Sequence, residues 1–340
     1  MHGEEKRKSG GGNFVSQLTL YLVLPCFNEE ETIISSADKL KAWIDKLMSN
    51  GTIGKDSRIL FVDDGSGDHT WKYIQQLHER NLIFEGLKLS ANRGHQTAIY
   101  AGIEYAVNYA DAVITMDVDL QQDIKALPQF IKLYQQGCDI VYGIRKDRKT
   151  DGFFKKTTAG LYYRLMRCMG CKIITNSADY RLLSKRAAKA LIKHRENNLF
   201  IRGIVPELGF QSATLYFDVH EREQGRSKYT IKKMLRLALD GITSFSVRPI
   251  RMITCIGFAL VCLSLVMIVY TFVSYFKGVT APGWSSVLVS IWLLGGMELI
   301  GIGVVGEYVG RTYMEAKRRP RYFIEDMLIS GGGHASEREE

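Results

Sequence analysis

Asp117 and Asp119 stand one residue apart, directly after the apolar run Ala112–Met116 (AVITM). Two carboxylates at that spacing on a strand end can jointly hold a hard divalent cation against a diphosphate. Mg2+ or Mn2+ suits such oxygen ligands and keeps room for phosphate oxygens. Gln121 can add an amide oxygen. A lone DxD is a weak signal. It gains weight from a second acidic turn, Asp63-Asp64-Gly65-Ser66, which closes the apolar run Ile59–Val62. One carboxylate of that pair could accept hydrogen bonds from a ribose or a base, while Gly65 permits a tight turn. Turn formation and helix capping account for the same pair as well. Cys168 and Cys171 form a CxxC with neither a second pair nor nearby histidines, which argues against zinc.

These residues need elements that bring them to one edge. Leu18–Leu24 (LTLYLVL) is a short β-rich run ending at Pro25, and Asn28-Glu29-Glu30-Glu31 opens a helical segment reaching Met48. Further helices are expected over Trp71–Arg80 and His95–Tyr109, with strands at Phe84–Leu89 and Asp139–Tyr142. Strands alternating with helices predict an α/β fold whose mainly parallel sheet is covered on both faces. Polar residues recur where the strands end, and ligands of open α/β sheets bind at that carboxyl edge.

The C-terminal third differs in kind. Met252–Phe276 carries no charged side chain. At about 1.5 Å per helical residue this run exceeds the roughly 30 Å hydrocarbon core of a bilayer. Val287–Val305 is similar but contains Glu298, which in lipid must face a partner or be protonated. Two transmembrane helices are therefore expected within 251–309. Lys228, Lys232, Lys233, Arg236, Arg248 and Arg251 precede them, Arg311, Lys317, Arg318, Arg319 and Arg321 follow, and the loop between holds only Lys277. That bias puts both termini in the cytoplasm, in a multi-pass cell-membrane protein. The net charge of +9 owes much to these flanks and suits anionic lipid; no nucleic-acid-binding motif accompanies it. The expected organisation is a disordered tail over 1–17, without a signal-peptide core, and an α/β domain over 18–228. A basic amphipathic juxtamembrane helix over 229–250 and a cytoplasmic tail over 310–340 complete it.

From Leu20 to Tyr322 the chain resembles the family 2 glycosyltransferases of GT-A fold, and within them the polyprenyl-phosphate glycosyltransferases. That group includes dolichol-phosphate mannose synthases and bactoprenol glucosyltransferases. The resemblance rests on LPCFNEEETI, VDDGSGDHT, NRGHQTAIYAGIEYA, DVDLQQD, SADYRLLS and EREQGRSKYT, in that order, then SFSVRPIR and GEYVGRTYMEAKRRPRY around the apolar runs. Each block is modestly specific; their order and spacing are highly specific. Two C-terminal spans match the bactoprenol branch better than the single-domain mannose synthases.

The resemblance implies roles. Pro25, Asn28, Glu29, Asp63 and Asp64 would line the nucleotide-sugar pocket, with Asp64 near the base or ribose, and Asp117, Asp119 and Gln121 would bind Mg2+ or Mn2+ and through it the sugar diphosphate. Asp179 would be the proposed base or an orienting carboxylate near the transferred sugar. Arg145, Arg181, Arg222, Ser227 and Lys228 would handle donor or acceptor phosphate. Gln122-Asp123-Ile124-Lys125 stands where relatives often carry a proline pair, and Asp123 reads as a helix cap before an extra ligand. His95 is expected to bond local backbone, and the basic segment Arg145–Lys156 reads as an interfacial flap or a solvated loop. The expected activity is inverting transfer of glucose from UDP-glucose to undecaprenyl phosphate at the cytoplasmic face. GDP-mannose or another UDP-sugar such as UDP-N-acetylglucosamine is the alternative donor, and an inactive membrane scaffold the alternative class. A processive synthase is disfavoured by the small number of spans and the lack of a QxxRW motif. A homo-oligomer, a flippase and an outer-face transferase are the implied partners.

Overall fold

A computed structural model describes residues 17–146, 174, 177–194, 196, 199–218, 248–276 and 283–330. Arg222, Ser227 and Lys228, Cys168 and Cys171, most of the basic flap and nearly all of the juxtamembrane helix lie outside these residues. The run before Pro25 is strand β1 (Leu20–Cys26), buried along its whole length. After it come α1 (Ile33–Ser49), β2 (Arg58–Asp63), α2 (Thr70–Arg80), β3 (Phe84–Leu89), α3 (His95–Ala106), β4 (Ala112–Thr115) and α4 (Leu127–Gln135). The domain continues with β5 (Ile140–Arg145), β6 (Ser177–Ser184), α5 (Lys185–Ile192), α6 (Ile201–Glu207) and β7 (Ser212–Phe217). Beyond them lie α7 (Arg248–Phe276), α8 (Trp284–Ala316) and a last strand, β8 (Ile324–Leu328).

The strands form one eight-stranded sheet in the order β7-β5-β6-β4-β1-β2-β3-β8. β1 runs parallel to β2 and β4, and β2 to β3. β6 runs against both its neighbours, and β8 against β3. Alternation along β1 divides the core: Leu22 and Leu24 face α1, α2 and α4, while Tyr21 and Val23 face α3, α5 and α6. Because both faces are covered, the central strands are continuously apolar, as the sequence predicts.

α3 lies unusually close to the sheet. A Cβ on Gly102 would stand 2.4 Å from Val23 Cγ1 and 2.8 Å from Val62 Cγ2. That approach sets the start of α3, at His95 and Gln96, over the ends of the central strands.

The expected C-terminal tail contains an element that the sequence reading misses. β8 closes the β3 edge, and Lys88 Nζ meets Glu325 Oε1 at 2.9 Å across the pair. Tyr322 donates its hydroxyl to Glu104 at 2.6 Å, and the Ser330 N–H donates to the buried Glu85. An exposed edge strand invites pairing with another chain, so this cover has a physical use.

α7 and α8 have 29 and 33 residues. Among the described residues, no helix combines the length and unbroken apolarity needed to cross a membrane. The expected two spans are therefore not established there; side chains at several positions of both helices lie outside the description. Glu307 pairs with Arg311 one turn on, at 2.9 Å, within α8 itself.

Candidate active site

The site grows from the ends of four adjacent strands. β2 ends at Asp63 and β1 at Cys26, directly paired with it. The turns that follow are stitched together. Asn28 adopts φ 52°, a left-handed conformation that Asn tolerates better than most residues. Its N–H donates to Ser66 Oγ at 3.0 Å, and its side-chain oxygen accepts from the Gly67 N–H at 2.9 Å. The Glu29 N–H donates to Thr70 Oγ1 at 2.9 Å. Gly65, at φ 67°, is obligatory: a Cβ there would lie 2.6 Å from the Ala91 carbonyl carbon.

The two adjacent acids have different tasks. Asp64 accepts the N–H groups of Arg93 and Gly94 at 2.7 and 2.9 Å, so it fastens the loop that starts α3. Asp63 accepts from Ser66 through Oδ1, while its buried Oδ2 has no hydrogen-bond partner. Burial raises both carboxyls above the usual range, against the N–H and hydroxyl donors that lower them. An orphaned buried oxygen is costly unless something completes it. A nucleoside hydroxyl or base N–H has the right chemistry at Asp63, and Asp64 is already committed to backbone.

Asp117 follows β4. Gln122 is buried and grips it from two sides, donating Nε2 to Asp117 Oδ2 and accepting the Asp117 N–H at 3.2 Å. His95 Nε2 lies 3.1 Å from Asp117 Oδ1, and His95 Nδ1 lies 3.9 Å from Asp179 Oδ2. The expected backbone contact of His95 is thus corrected: at the first turn of α3 its ring meets the strand-end carboxylates. Burial lowers the His95 pKa, but Asp117 outweighs it and the net shift is upward. Asp117 moves the other way, since His95 overcomes the upward push of burial. Asp119 accepts the Gln121 N–H at 3.2 Å. Asp123 is the cap that its position predicts, accepting the Lys125 N–H at 2.9 Å.

No group of three or more His, Cys, Asp or Glu side chains able to hold a metal occurs among the described residues. Mg2+ does not require one, because it is commonly held by one or two carboxylates together with substrate phosphates. Asp117 and Asp119, both hard oxygen donors at the carboxyl edge, fit that mode.

SADYR opens strand β6. The β4–β6 register, extended by two residues, sets Asp179 across from Asp117. Thr115 Oγ1 donates to the Asp179 carbonyl at 2.6 Å. The Asp179 carboxylate is buried and held by two guanidinium groups. Arg181 Nη2 lies 2.6 Å from Oδ1, while Arg202 reaches both oxygens, at 3.1 Å through Nε and 2.8 Å through Nη2. Gln96 Nε2 adds a contact at 3.3 Å. Burial pushes this carboxyl up, but Arg202 and Arg181 together outweigh it and hold it far below the usual carboxylate range. Such a group is a poor proton acceptor near neutrality.

Arg181, expected to handle phosphate, is only 2% exposed. It shares a β6 face with Asp179, two residues away, and is enclosed there as that carboxylate's partner. Its Nε and Nη1 are buried without a hydrogen-bond partner. Arg145 is exposed at the end of β5. Arg202, Gln96 and Gln122 belong to the site, yet the sequence reading did not single them out for roles there. Arg202 sits outside every quoted motif, although it lies in a short helix with apolar neighbours, where a lone arginine is conspicuous.

A mainly parallel α/β sheet with acidic residues at its carboxyl edge is GT-A-like. The chain matches glycosyl transferase family 2 over residues 21–192 and belongs to that family. It is 50% identical to the uncharacterized glycosyltransferase YkoT of Bacillus subtilis, covering 91% of this chain and 92% of that one. It is 38% identical to the bactoprenol glucosyl transferase of Shigella phage SfX, covering 90% of this chain and 99% of that one. The mannosyl-3-phosphoglycerate synthase of Rubrobacter xylanophilus is a distant structural likeness, at 17% identity and TM-score 0.46, covering 69% of this chain and 74% of that one.

Proposed function

We propose that this chain is an inverting glycosyltransferase that moves glucose from UDP-glucose to a polyprenyl phosphate such as undecaprenyl phosphate, at the cytoplasmic face of the cell membrane. The observation that carries the reading is Asp179, a carboxylate clamped by two arginines where a transferase acting on a neutral hydroxyl would need a base. A phosphate monoester needs little such help, because its second pKa is about 6 and its oxygen is already anionic near neutrality. Similarity over 90% of this chain to a protein named bactoprenol glucosyl transferase supports glucose as the transferred sugar and a polyprenyl lipid as acceptor.

In this reading Pro25, Asn28, Glu29 and Asp63 receive the nucleoside, with Asp64 shaping the pocket through the loop before α3. Asp117, Asp119 and Gln121 hold Mg2+ or Mn2+, which when bound neutralises charge on the departing diphosphate. Gln122 and His95 fix Asp117. Asp179 orients rather than deprotonates, and placement of the acceptor oxygen behind the anomeric carbon supplies the advantage in entropy. Arg145, Arg222, Ser227 and Lys228 are assigned to phosphate.

α7 and α8 are proposed as a two-span anchor. Phe258, Leu265 and Val266 of α7 and Leu299, Ile300 and Ile302 of α8 are exposed, which suits contact with lipid better than with water. The basic flanks of both apolar runs support a cytoplasmic catalytic domain. A homo-oligomer is a further proposal. A sugar lipid made inside also requires a flippase and an outer-face transferase before it can be used outside.

Membranes carrying the protein, supplied with undecaprenyl phosphate and labelled UDP-glucose, UDP-N-acetylglucosamine or GDP-mannose, test the reading. Label should enter the lipid fraction from UDP-glucose, and chelation should stop it. Lipid product from GDP-mannose instead would change the donor. No lipid product from any donor would defeat the proposal.

A further inference from the structure

The strand order acts as a ruler across the site. Asp63 stands on β2, Asp117 follows β4 and Asp179 stands on β6, in that lateral order. Three strand steps at about 4.8 Å each separate the nucleoside end from Asp179 by roughly 14 Å. The metal-type carboxylates lie between. Asp179 and its arginines therefore occupy the end of the site away from the nucleoside, where the sugar and acceptor must meet.

Two guanidinium groups hold the Asp179 carboxylate at that end. The arginines differ in what they can reach. Arg181 is enclosed, whereas the Arg202 side chain is 36% exposed while still anchored to both oxygens of Asp179. An arginine so anchored keeps a planar array of donors at a fixed angle, the arrangement that suits a phosphate. Holding it in advance also removes part of the entropic cost of ordering a long side chain on binding.

We propose that Arg202 receives the phosphate of the lipid acceptor and that Asp179 positions it for that contact. The proposal rests on the reading that the acceptor is a polyprenyl phosphate. It makes Asp179 a positioning residue and Arg202 an acceptor-binding residue. α6, which carries Arg202, packs Ile201, Ile204 and Val205 against the sheet face that holds α3. The guanidinium is thus placed by buried structure on both sides.

The test compares the full-length protein with Arg202→Gln and Arg202→Lys, in detergent with UDP and Mn2+ present. Affinity is measured by titration for a short-chain polyprenyl phosphate and for the corresponding free alcohol. Unliganded thermal unfolding checks that each variant is folded. Arg202→Gln should weaken phosphate binding about tenfold or more, the scale of a lost charge-assisted hydrogen bond. Alcohol and UDP affinities should stay unchanged, and Arg202→Lys should keep part of the phosphate preference. Equal losses for phosphate and alcohol would reduce Arg202 to a packing role and overturn the proposal. So would loss of UDP affinity with phosphate affinity intact, which would assign Arg202 to the donor diphosphate. Wild-type protein that prefers the phosphate yet transfers no glucose to it would defeat the activity proposed above, while the binding comparison still decides Arg202.

Discussion

Asp179→Asn separates an orienting carboxylate from a base. The substitution keeps shape and one accepting oxygen but removes the charge that faces Arg181 and Arg202. Arg181 is 2% exposed and cannot recover its solvation. Breaking a buried pair by removing one partner costs about 3–5 kcal/mol. The retained amide oxygen and the partial exposure of Arg202 argue for the lower end, about 3 kcal/mol. In a domain of this size about 1 kcal/mol moves the midpoint by about 2–4 °C, so Asp179→Asn should melt roughly 6–12 °C lower. The pH dependence has a defined sign. A carboxyl held below its unfolded value of about 3.9 stabilises the fold above that pH, and the benefit is lost as pH falls towards the folded group's own titration. The gap between wild type and variant should therefore be full at pH 7 and shrink below about pH 4. Turnover should fall through weaker acceptor use, and the acidic limb of the rate profile, set by the acceptor phosphate near about pH 6, should remain. Scanning calorimetry and a pH–rate series measure both. An unchanged midpoint, with acceptor binding intact, turnover abolished and the acidic limb gone, would refute the reasoning and restore Asp179 as a base.

Asp117→Asn should abolish the gain in UDP affinity that Mn2+ brings while leaving metal-free UDP binding nearly unchanged, as read by calorimetric titration. Gly102→Val forces two methyl groups into Val23 and Val62, and overpacking of this kind costs about 1–3 kcal/mol; the midpoint should fall and donor use weaken as the start of α3 is displaced. Deletion of residues 323–340 uncovers the β3 edge and removes the Lys88–Glu325 pair; light scattering on warming should reveal association that the full chain resists.

The sequence by itself determined the class of fold and most of the residues at its edge. A short β-rich apolar run such as LTLYLVL, closed by Pro25, reads as a strand buried on both faces, and acids directly after such runs fall at the carboxyl edge. That reasoning needs only local periodicity, so Asp63, Asp64 and Asp117 were legible without coordinates. What each acid does was not. Asp64 fastens a loop 29 residues away, and Asp179 is held ionised because β6 runs antiparallel beside β4 and α6 brings Arg202 back to it. The expected backbone role of His95 failed for the same reason, since a helix start is local but what lies beneath it is not. β8 was missed because IEDML has weak alternation and its partner strand is more than two hundred residues earlier. Periodicity reports which side of an element is buried; only the packed chain decides which charges meet there, and at this site those meetings set the chemistry.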